Sequence, residues 1–560
     1  MIRGRTRPIG GVGQMGSKVK QGDRTIGRFR FGAVLVLLIF TVGAIIFARA
    51  QNVWLDETTQ LSGMTLAPDA LLGWLAGTLT VPLGVPLDRS PPLSYLLDMP
   101  VWRLSGGSVL TMRLYHAAMV GGGILLLMVA MARRFGPRSA LIAGLFLVLS
   151  PKVIDIAVEI RAYPLFLALT CAQVALLVDG GVAARPRRLA LFLLLGVASA
   201  YTHYFGVVAT SAFFLAACLD SPTVRTAIPA ALGYGLFLLL CIGLVPFISH
   251  AAAMSNSDLP PAAPGFGTIA TFGGQILGSV QWMVNPPIVG LFFAGTVGLL
   301  LLGAIGLAGL IRRRGLAVRH EPAVGITIAL LAGFVAITTA AFVLSGFNTL
   351  SPRYNIWMTP PLAVLLALCA DGLLGPGGKG ARFVRLAALA LAGIGAAWGQ
   401  AWFLARAELF IHGPSRTLEA LLAGAGPKVA ILHTDDARGW GWAGYPLSWA
   451  HGRALDQWLL SPDRRSAMRI HLHQPSGEAL GKPEPLSALV PYQTLLVSRV
   501  DVKSFRDLRP VDSAALGPGP AGAPALAPRL ADAGWDGSEI LVKPGYYALT
   551  VQFYRKHPKQ

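Results

Sequence analysis

The chain has 560 residues, 54% of them hydrophobic and only 13% charged, with a mean hydropathy of +0.59. A soluble protein would carry about a quarter charged residues, so a water-soluble globular fold is excluded. Repeated uncharged runs of roughly twenty residues mark a multi-spanning helical membrane protein instead. The formal charge of +20 does not mark a nucleic-acid partner, because the basic residues gather in short clusters between apolar runs, the positive-inside pattern.

Residues 1–30 form a basic, cytoplasmic N-terminus. The first apolar run, Phe31 to Ala48, lacks a small-residue cleavage site and is longer than a signal-peptide core, which predicts a retained signal anchor. Eleven spans are expected, near 31–49, 109–131, 139–152, 161–179, 189–204, 205–220, 226–249, 287–311, 322–346, 354–374 and 386–405. The third is short and ends at Ser150-Pro151. The fifth and sixth meet in a tight turn at His203-Tyr204-Phe205. Basic clusters around Arg133, Arg187, Arg313 and Arg382 mark cytoplasmic junctions. All four cysteines lie in apolar runs, so neither a disulfide framework nor a thiolate metal site is implied.

Eleven crossings from a cytoplasmic N-terminus place the C-terminus outside. The expected organisation is a transmembrane module over 31–405 and an external domain over 406–560. Within the module, the external loop 50–108 carries two candidate interfacial helices, near 68–80 and 92–105, and the Pro-, Gly- and Ser-rich segment 250–286 reads as a loop. The C-terminal domain reads as small and α/β. It has strands at Lys428–His433, Thr494–Val500 and Tyr547–Tyr554, a helix across Pro446–Leu460, and a linker over Gly517–Arg529.

Every polar cluster falls on the external side. Trp54-Leu55-Asp56-Glu57 follows the first span, and Ser90-Pro91-Pro92-Leu93-Ser94-Tyr95 lies later in the same loop. Ser150-Pro151-Lys152 through Glu159-Ile160-Arg161-Ala162-Tyr163 links the third and fourth spans. Tyr201-Thr202-His203-Tyr204-Phe205 caps the fifth, and Ser351-Pro352-Arg353-Tyr354 enters the tenth. Adjacent carboxylates at the mouth of a membrane helix are costly unless they do chemistry or bind a cation.

In this order and on this side, the clusters resemble the GT-C superfamily of polyprenyl-phosphate-sugar-dependent glycosyltransferases. The likeness is greatest to the bacterial branch related to protein O-mannosyltransferases and the lipid A aminoarabinose transferase. It covers residues 31–375 and extends in topology to the external domain. The resemblance implies a polytopic α-helical GT-C fold in the bacterial inner membrane, with a periplasmic active site. It implies transfer of a sugar, with inversion, from a polyprenyl-phosphate donor to a glycolipid, polysaccharide or protein acceptor among the membrane lipids. Asp56 matches the family's acidic residue and takes the role of base, and Glu57 and Glu159 assist. Arg353, Arg161 and Lys152 are candidates to hold the donor phosphate, since a guanidinium fork fits phosphate oxygens. Tyr354 and Tyr163 add hydroxyl donors or sugar-facing rings, and His203 and Tyr204 line the cleft. Asp56, Glu57, Glu159 and His203 also have the donor atoms to hold Mg²⁺, Mn²⁺ or Zn²⁺, although no spacing motif accompanies them.

Duller readings stand beside these. Glu159 and Arg161 can form a structural ion pair, His203 can bond a neighbouring helix, and Arg353 and Lys152 can anchor the membrane interface. Tyr95 and Trp102 read as packing residues, and His433, Asp435, Asp436, His471 and His473 as strand-end or surface residues. A transporter or lipid flippase is the rival of another class, but such proteins place ionisable groups near the bilayer midplane and break helices there. An oligosaccharide ligase is the nearer rival, and a non-catalytic scaffold the last.

Overall fold

The computed structural model describes residues 12–79, 88–221, 223–253, 266–277, 286–314, 321–343, 350–351, 353–374, 378–410, 415–426, 428–434, 446–447, 455–461, 464–470, 480–502, 526–532, 534–543 and 547–556. It shows a helical bundle followed by a C-terminal sheet domain. Each of the eleven apolar runs has a helical counterpart, in chain order α1 (Val12–Ala50), α5 (Val109–Phe135), the pair α6 (Pro137–Val148) and α7 (Pro151–Ala157), and α8 (Tyr163–Asp179). Then come α9 (Pro186–Thr202), α10 (Phe205–Leu219), α11 (Val224–Cys241) running into α12 (Val245–Ala253), α14 (Pro286–Arg314), α15 (Pro322–Val343), α16 (Thr359–Asp371) and α17 (Lys379–Ala405). Loop 50–108 supplies α2 (Leu55–Gly63), α3 (Pro68–Leu75) and α4 (Leu93–Leu104), the last two near the expected interfacial helices.

Length divides these helices. Among the described residues, six are long and apolar enough to cross a membrane alone, and the α6–α7 pair is bent by 69°. The third run, expected as one short span over 139–152, is therefore broken. Pro151 opens α7 with no N–H to give, and the Ser150 hydroxyl accepts from the Val153 N–H at 3.3 Å, so capping restarts the helix in a new direction. Segment 250–286 departs from its loop reading too, since α13 (Phe266–Leu277) lies within it.

Lipid offers little hydrophobic drive between helices, so contact rests on small residues that let backbones approach. In α14 and α17 the arrangement is reciprocal. A Cβ at Gly295 would strike the backbone of Ala388 and Ala392, and one at Gly395 would lie 2.7 Å from the Phe292 N. The α9–α10 turn depends on Gly206 in the same way, because its Cβ would meet the Ser199 carbonyl.

The C-terminal sheet has seven strands: β1 (Val429–His433), β2 (Asp456–Leu460), β3 (Ser466–Ile470), β4 (Leu480–Pro485), β5 (Thr494–Val502), β6 (Trp535–Lys543) and β7 (Tyr547–Lys556), ordered β4-β3-β2-β1-β5-β7-β6. β1 is parallel to β2 and β5, and every other pairing is antiparallel. Alternation of side chains sends Ile431, Leu496 and Val551 toward α18 (Ser415–Gly424), and Ala430, Leu432, Leu495 and Val497 toward α19 (Leu526–Asp532). The three expected strands are β1, β5 and β7. The expected helix over Pro446–Leu460 is corrected: Asp456–Leu460 is β2, whose Gln-Trp-Leu-Leu run is buried from both faces of the sheet. Only 526–529 of the expected linker is described, as the start of α19, and Asp435, Asp436, His471 and His473 lie outside the described residues.

Gly295→Ala should lower the thermal unfolding midpoint in detergent, with a loss of about 1–3 kcal/mol from overpacking against backbone that cannot rotate away. Gly393→Ala, one residue set facing open space on α17, is the control and should leave the midpoint unchanged.

Candidate active site

The polar clusters meet at one end of the bundle, where α1 ends, α5 begins, and the α7–α8 and α15–α16 connections pass. Four ionic groupings organise it.

Arg113, fully buried in the first turns of α5, is the centre of one. Its Nη1 donates to the carbonyls of Ala48 (3.2 Å) and Gln51 (2.6 Å), and its Nη2 to the Asn52 carbonyl (2.7 Å) and to Glu57 Oε2 (2.8 Å). The cation thus satisfies carbonyls at the C-terminus of α1 that have no intrahelical partner. Glu57 accepts from the Ile160 N–H through its other oxygen, at 2.9 Å. Both carboxylate oxygens are engaged and the side chain is fully buried, so Glu57 shapes the site from beneath rather than facing the cleft.

Arg161 makes the second, and it corrects an expectation. Its fork closes on Asp88, Nη1 to Oδ2 at 2.8 Å and Nη2 to Oδ1 at 3.0 Å, with further bonds to the Asp56 carbonyl and the Ser90 hydroxyl. Tyr95 donates its hydroxyl to Asp88. Burial pushes the Asp88 carboxyl up, but the charge and hydrogen bonds of Arg161, with those of Tyr95 and the Arg89 N–H, outweigh it and hold the group below its ordinary value. A guanidinium committed in this way to a carboxylate is a strut between loop 50–108 and the α7–α8 link, and its fork is not open to a donor phosphate. Nor does Arg161 pair with Glu159.

The third is His116 on α5, 2.9 Å from Asp98 on α4 through Nε2 and 2.7 Å from the Glu159 carbonyl through Nδ1; Asp98 also accepts from Gln60 at 3.0 Å.

The fourth grouping opens outward. Arg353 lies between two carboxylates, 3.9 Å from Asp56 and 3.5 Å from Glu159, with its guanidinium over the rings of Trp54 (4.7 Å) and Tyr163 (5.5 Å). Burial works against the Arg353 charge, but Glu159 foremost, with Tyr163, Asp155 and Asp56, holds its pKa above the ordinary value. Asp56 is 37% exposed whereas Glu57 and Glu159 are at most 2% exposed, so of the three expected catalytic carboxylates only Asp56 is presented to an incoming group. Lys152 is buried on α7 with Arg353 and Asp155 as charged neighbours.

Beside Arg353 stands an aromatic wall. Tyr354 stacks on Tyr163 at 6.2 Å, and His203 packs against Phe166, Tyr163, Phe205 and Tyr354 at 5.1–5.6 Å. The His203 Nδ1 accepts from the Phe205 N–H at 3.2 Å, which caps the turn into α10. Tyr204, beside it, is half-buried.

The expected metal set does not gather. Both Glu57 oxygens face Arg113 and a backbone N–H, His203 sits within rings, and Arg353 occupies the ground between Asp56 and Glu159. Among the described residues no group of three or more His, Cys, Asp or Glu is arranged to hold an ion. The donors present do not fit a divalent metal.

Sequence reading missed Asp88, Asp98, Arg113 and His116. A signal was available for two of them: Arg113 and His116 fall in the first two turns of an apolar span, where ionisable residues are expensive and need partners. The C-terminal domain also touches this end. The Ser415 hydroxyl donates to the Val53 carbonyl at 3.3 Å, and Arg416 to the Arg49 carbonyl. His433 is buried in the sheet, bonded to Gln457 and Ser498.

No family model and no curated protein matches the chain. Its fold is that of ArnT from Cupriavidus metallidurans. The apo crystal structure superposes with a TM-score of 0.54 at 13% identity, covering 94% of this chain and 98% of that one. The form bound to undecaprenyl phosphate gives 0.51 at 14%, with the same coverage. The chain is a multi-pass helical membrane protein with an ArnT-like bundle and a C-terminal sheet domain.

Removing one member of the buried pair strands its partner. Arg113→Ala should cost about 3–5 kcal/mol, and Arg113→Met combined with Glu57→Leu should recover much of it, as unfolding midpoints in detergent would report. Because Asp88 is held below its ordinary value, its contribution is complete above that value, about 3.9, and disappears as pH falls through the lower folded one. Asp88→Asn should therefore lower stability at neutral pH and flatten the acid limb of the midpoint-versus-pH curve.

Proposed function

We propose that the protein is a membrane glycosyltransferase that moves a sugar from a polyprenyl-phosphate donor to an acceptor hydroxyl outside the cytoplasm. The observation that carries this reading is the open grouping: an exposed carboxylate beside a guanidinium backed by aromatic rings, on a fold it shares with a protein crystallised with undecaprenyl phosphate.

The chemistry needs two things. An acceptor hydroxyl must lose a proton as it attacks the anomeric carbon, and Asp56, partly exposed, is the group able to take it. The bond from that carbon to the phosphate oxygen breaks, and the electron pair leaves with the phosphate. Arg353 faces this charge with a planar fork. Glu159 and the Trp54 and Tyr163 rings hold the guanidinium in place, so that little reorganisation accompanies charge development. Lys152 is buried beside Arg353, where burial and the neighbouring guanidinium both work against a second full positive charge, so the phosphate-facing role falls to Arg353. Tyr354 and Tyr204 are placed to line the sugar's approach. Attack from the face opposite the leaving phosphate inverts the anomeric centre. The C-terminal domain, tied to Arg49 and Val53 just before the acidic dipeptide, shapes acceptor entry. A bacterial inner membrane with this end facing the periplasm is the setting that fits the basic clusters at the opposite helix ends.

The test is transfer of radiolabel from a panel of polyprenyl-phosphate sugars to a membrane-lipid extract, with the protein in nanodiscs. Asp56→Asn should lower the rate by about 10²–10⁴-fold at an unchanged unfolding midpoint, and Arg353→Ala by about 10²–10³-fold with a lowered midpoint as well, because buried Glu159 loses a counter-ion. Equal transfer by wild type and Asp56→Asn would remove the base. Carrier movement across the bilayer with the sugar retained would replace the transferase by a flippase.

A further inference from the structure

We propose that His116 is held as a doubly protonated imidazolium and, in that state, positions the Glu159–Arg161 segment that backs the site. The significance of the segment rests on the proposed function; the protonation state does not.

Both ring nitrogens face oxygens. Nδ1 lies 2.7 Å from the Glu159 main-chain carbonyl, which can only accept, and Nε2 lies 2.9 Å from Asp98 Oδ1. A neutral imidazole has one N–H and one lone pair, so it would set a lone pair against an oxygen at one of these contacts. The other Asp98 oxygen accepts from Gln60 Nε2 at 3.0 Å, as a carboxylate does. His116 and Asp98 are at most 2% exposed, so water does not repair a missing bond.

The neighbouring charges agree. On its own helix, His116 has Arg113 one turn back and the Tyr115 ring at 5.6 Å. From α2 comes Glu57, already paired with Arg113, and from α4 comes Asp98. From the α7–α8 link comes Glu159, which offers its carbonyl here and turns its carboxylate toward Arg353. With Arg113 and Glu57 cancelling, an uncharged His116 beside an ionised Asp98 would leave a buried carboxylate without a counter-ion, a costly arrangement.

The consequence is mechanical. Three consecutive residues of the link are pinned by three different elements: the Glu159 carbonyl by His116 of α5, the Ile160 N–H by Glu57 of α2, and the Arg161 side chain by Asp88 of loop 50–108. The side-chain partners of His116 are Asp98, the Glu159 carbonyl and the Tyr115 ring, away from Arg353. It is a positioning residue.

The same oxygen–nitrogen separations would arise with the proton on Asp98 and a neutral ring, and spectroscopy separates the two. The full-length protein, labelled with ring-¹⁵N histidine and held in nanodiscs, has ten histidines. Solid-state NMR at a pH about two units above the ordinary histidine value of about 6.5 should show one ring with both nitrogens protonated. Asp98→Asn should convert that ring to neutral imidazole protonated at Nδ1, since the new amide can donate to Nε2. Loss of the signal in His116→Gln assigns it; should that variant not fold, the response to Asp98→Asn assigns it. Ten neutral rings in the wild type, or a charged ring surviving in Asp98→Asn, overturns the proposal.

Turnover gives a second readout. His116→Phe keeps the ring volume but loses both donors, and should slow sugar transfer by roughly a hundredfold through misplacement of the link. Asp98→Asn, whose neutral ring still makes both bonds, should retain most activity. The reverse ranking would mean that His116 only fills space, and would overturn the positioning role. A wild-type protein without transfer would count against the proposed function alone, because the spectra need no turnover.

Discussion

The buried ion pair of Arg113 and Glu57 is the contact on which the rest of this end of the molecule depends. One guanidinium closes the carbonyl end of α1, holds the start of α2, and leaves Glu57 a free oxygen with which to grip the Ile160 N–H. Successive residues of a helix point about a third of a turn apart. With Glu57 drawn inward to Arg113, its neighbour Asp56 is turned toward the opening. The Asp-Glu dipeptide is therefore one device with two faces, one structural and one exposed.

The wider arrangement follows a simple electrostatic rule. Charges taken out of water are tolerated when each meets an opposite charge and its remaining donors and acceptors are bonded. Arg113 with Glu57, Arg161 with Asp88, and His116 with Asp98 meet the charge condition, although the Nε of each arginine is buried without a hydrogen-bond partner, and each pair joins two segments distant in sequence. Arg353 differs. It faces two carboxylates at 3.5–3.9 Å, longer than the 2.8–2.9 Å of the other pairs, and is a quarter exposed. That looser, wetter cation is where an anionic ligand has room to compete. The contrast between clenched and open pairs separates the frame from the cleft.

The C-terminal sheet domain is part of the same frame. Its α18 contacts the backbone at Arg49 and Val53, on either side of the Gln51 and Asn52 carbonyls that Arg113 binds. Any shift of the sheet domain is thereby felt at Trp54, whose ring carries the Arg353 guanidinium. The sheet domain and the segment leading to Asp56 are linked through Arg49 and Val53.

How much could be read without the structure depended on the range of the forces involved. Hydropathy is local, so eleven apolar runs, the basic junctions between them, the helices near α3 and α4, and strands β1, β5 and β7 were legible residue by residue. So was the gathering of Asp56, Glu159, Arg353 and the aromatic residues at one side, because sidedness follows from counting spans. Partnership was not legible. Arg161 looked like an open cation until Asp88, seventy-three residues earlier, closed its fork. Glu57 looked like a second catalytic carboxylate until Arg113 took it. The break between α6 and α7, and the strand β2 in place of a helix, were likewise decided by packing around them. Which charges are neutralised and which are left to act depends on distances between segments far apart in the chain, and only the tertiary structure sets those.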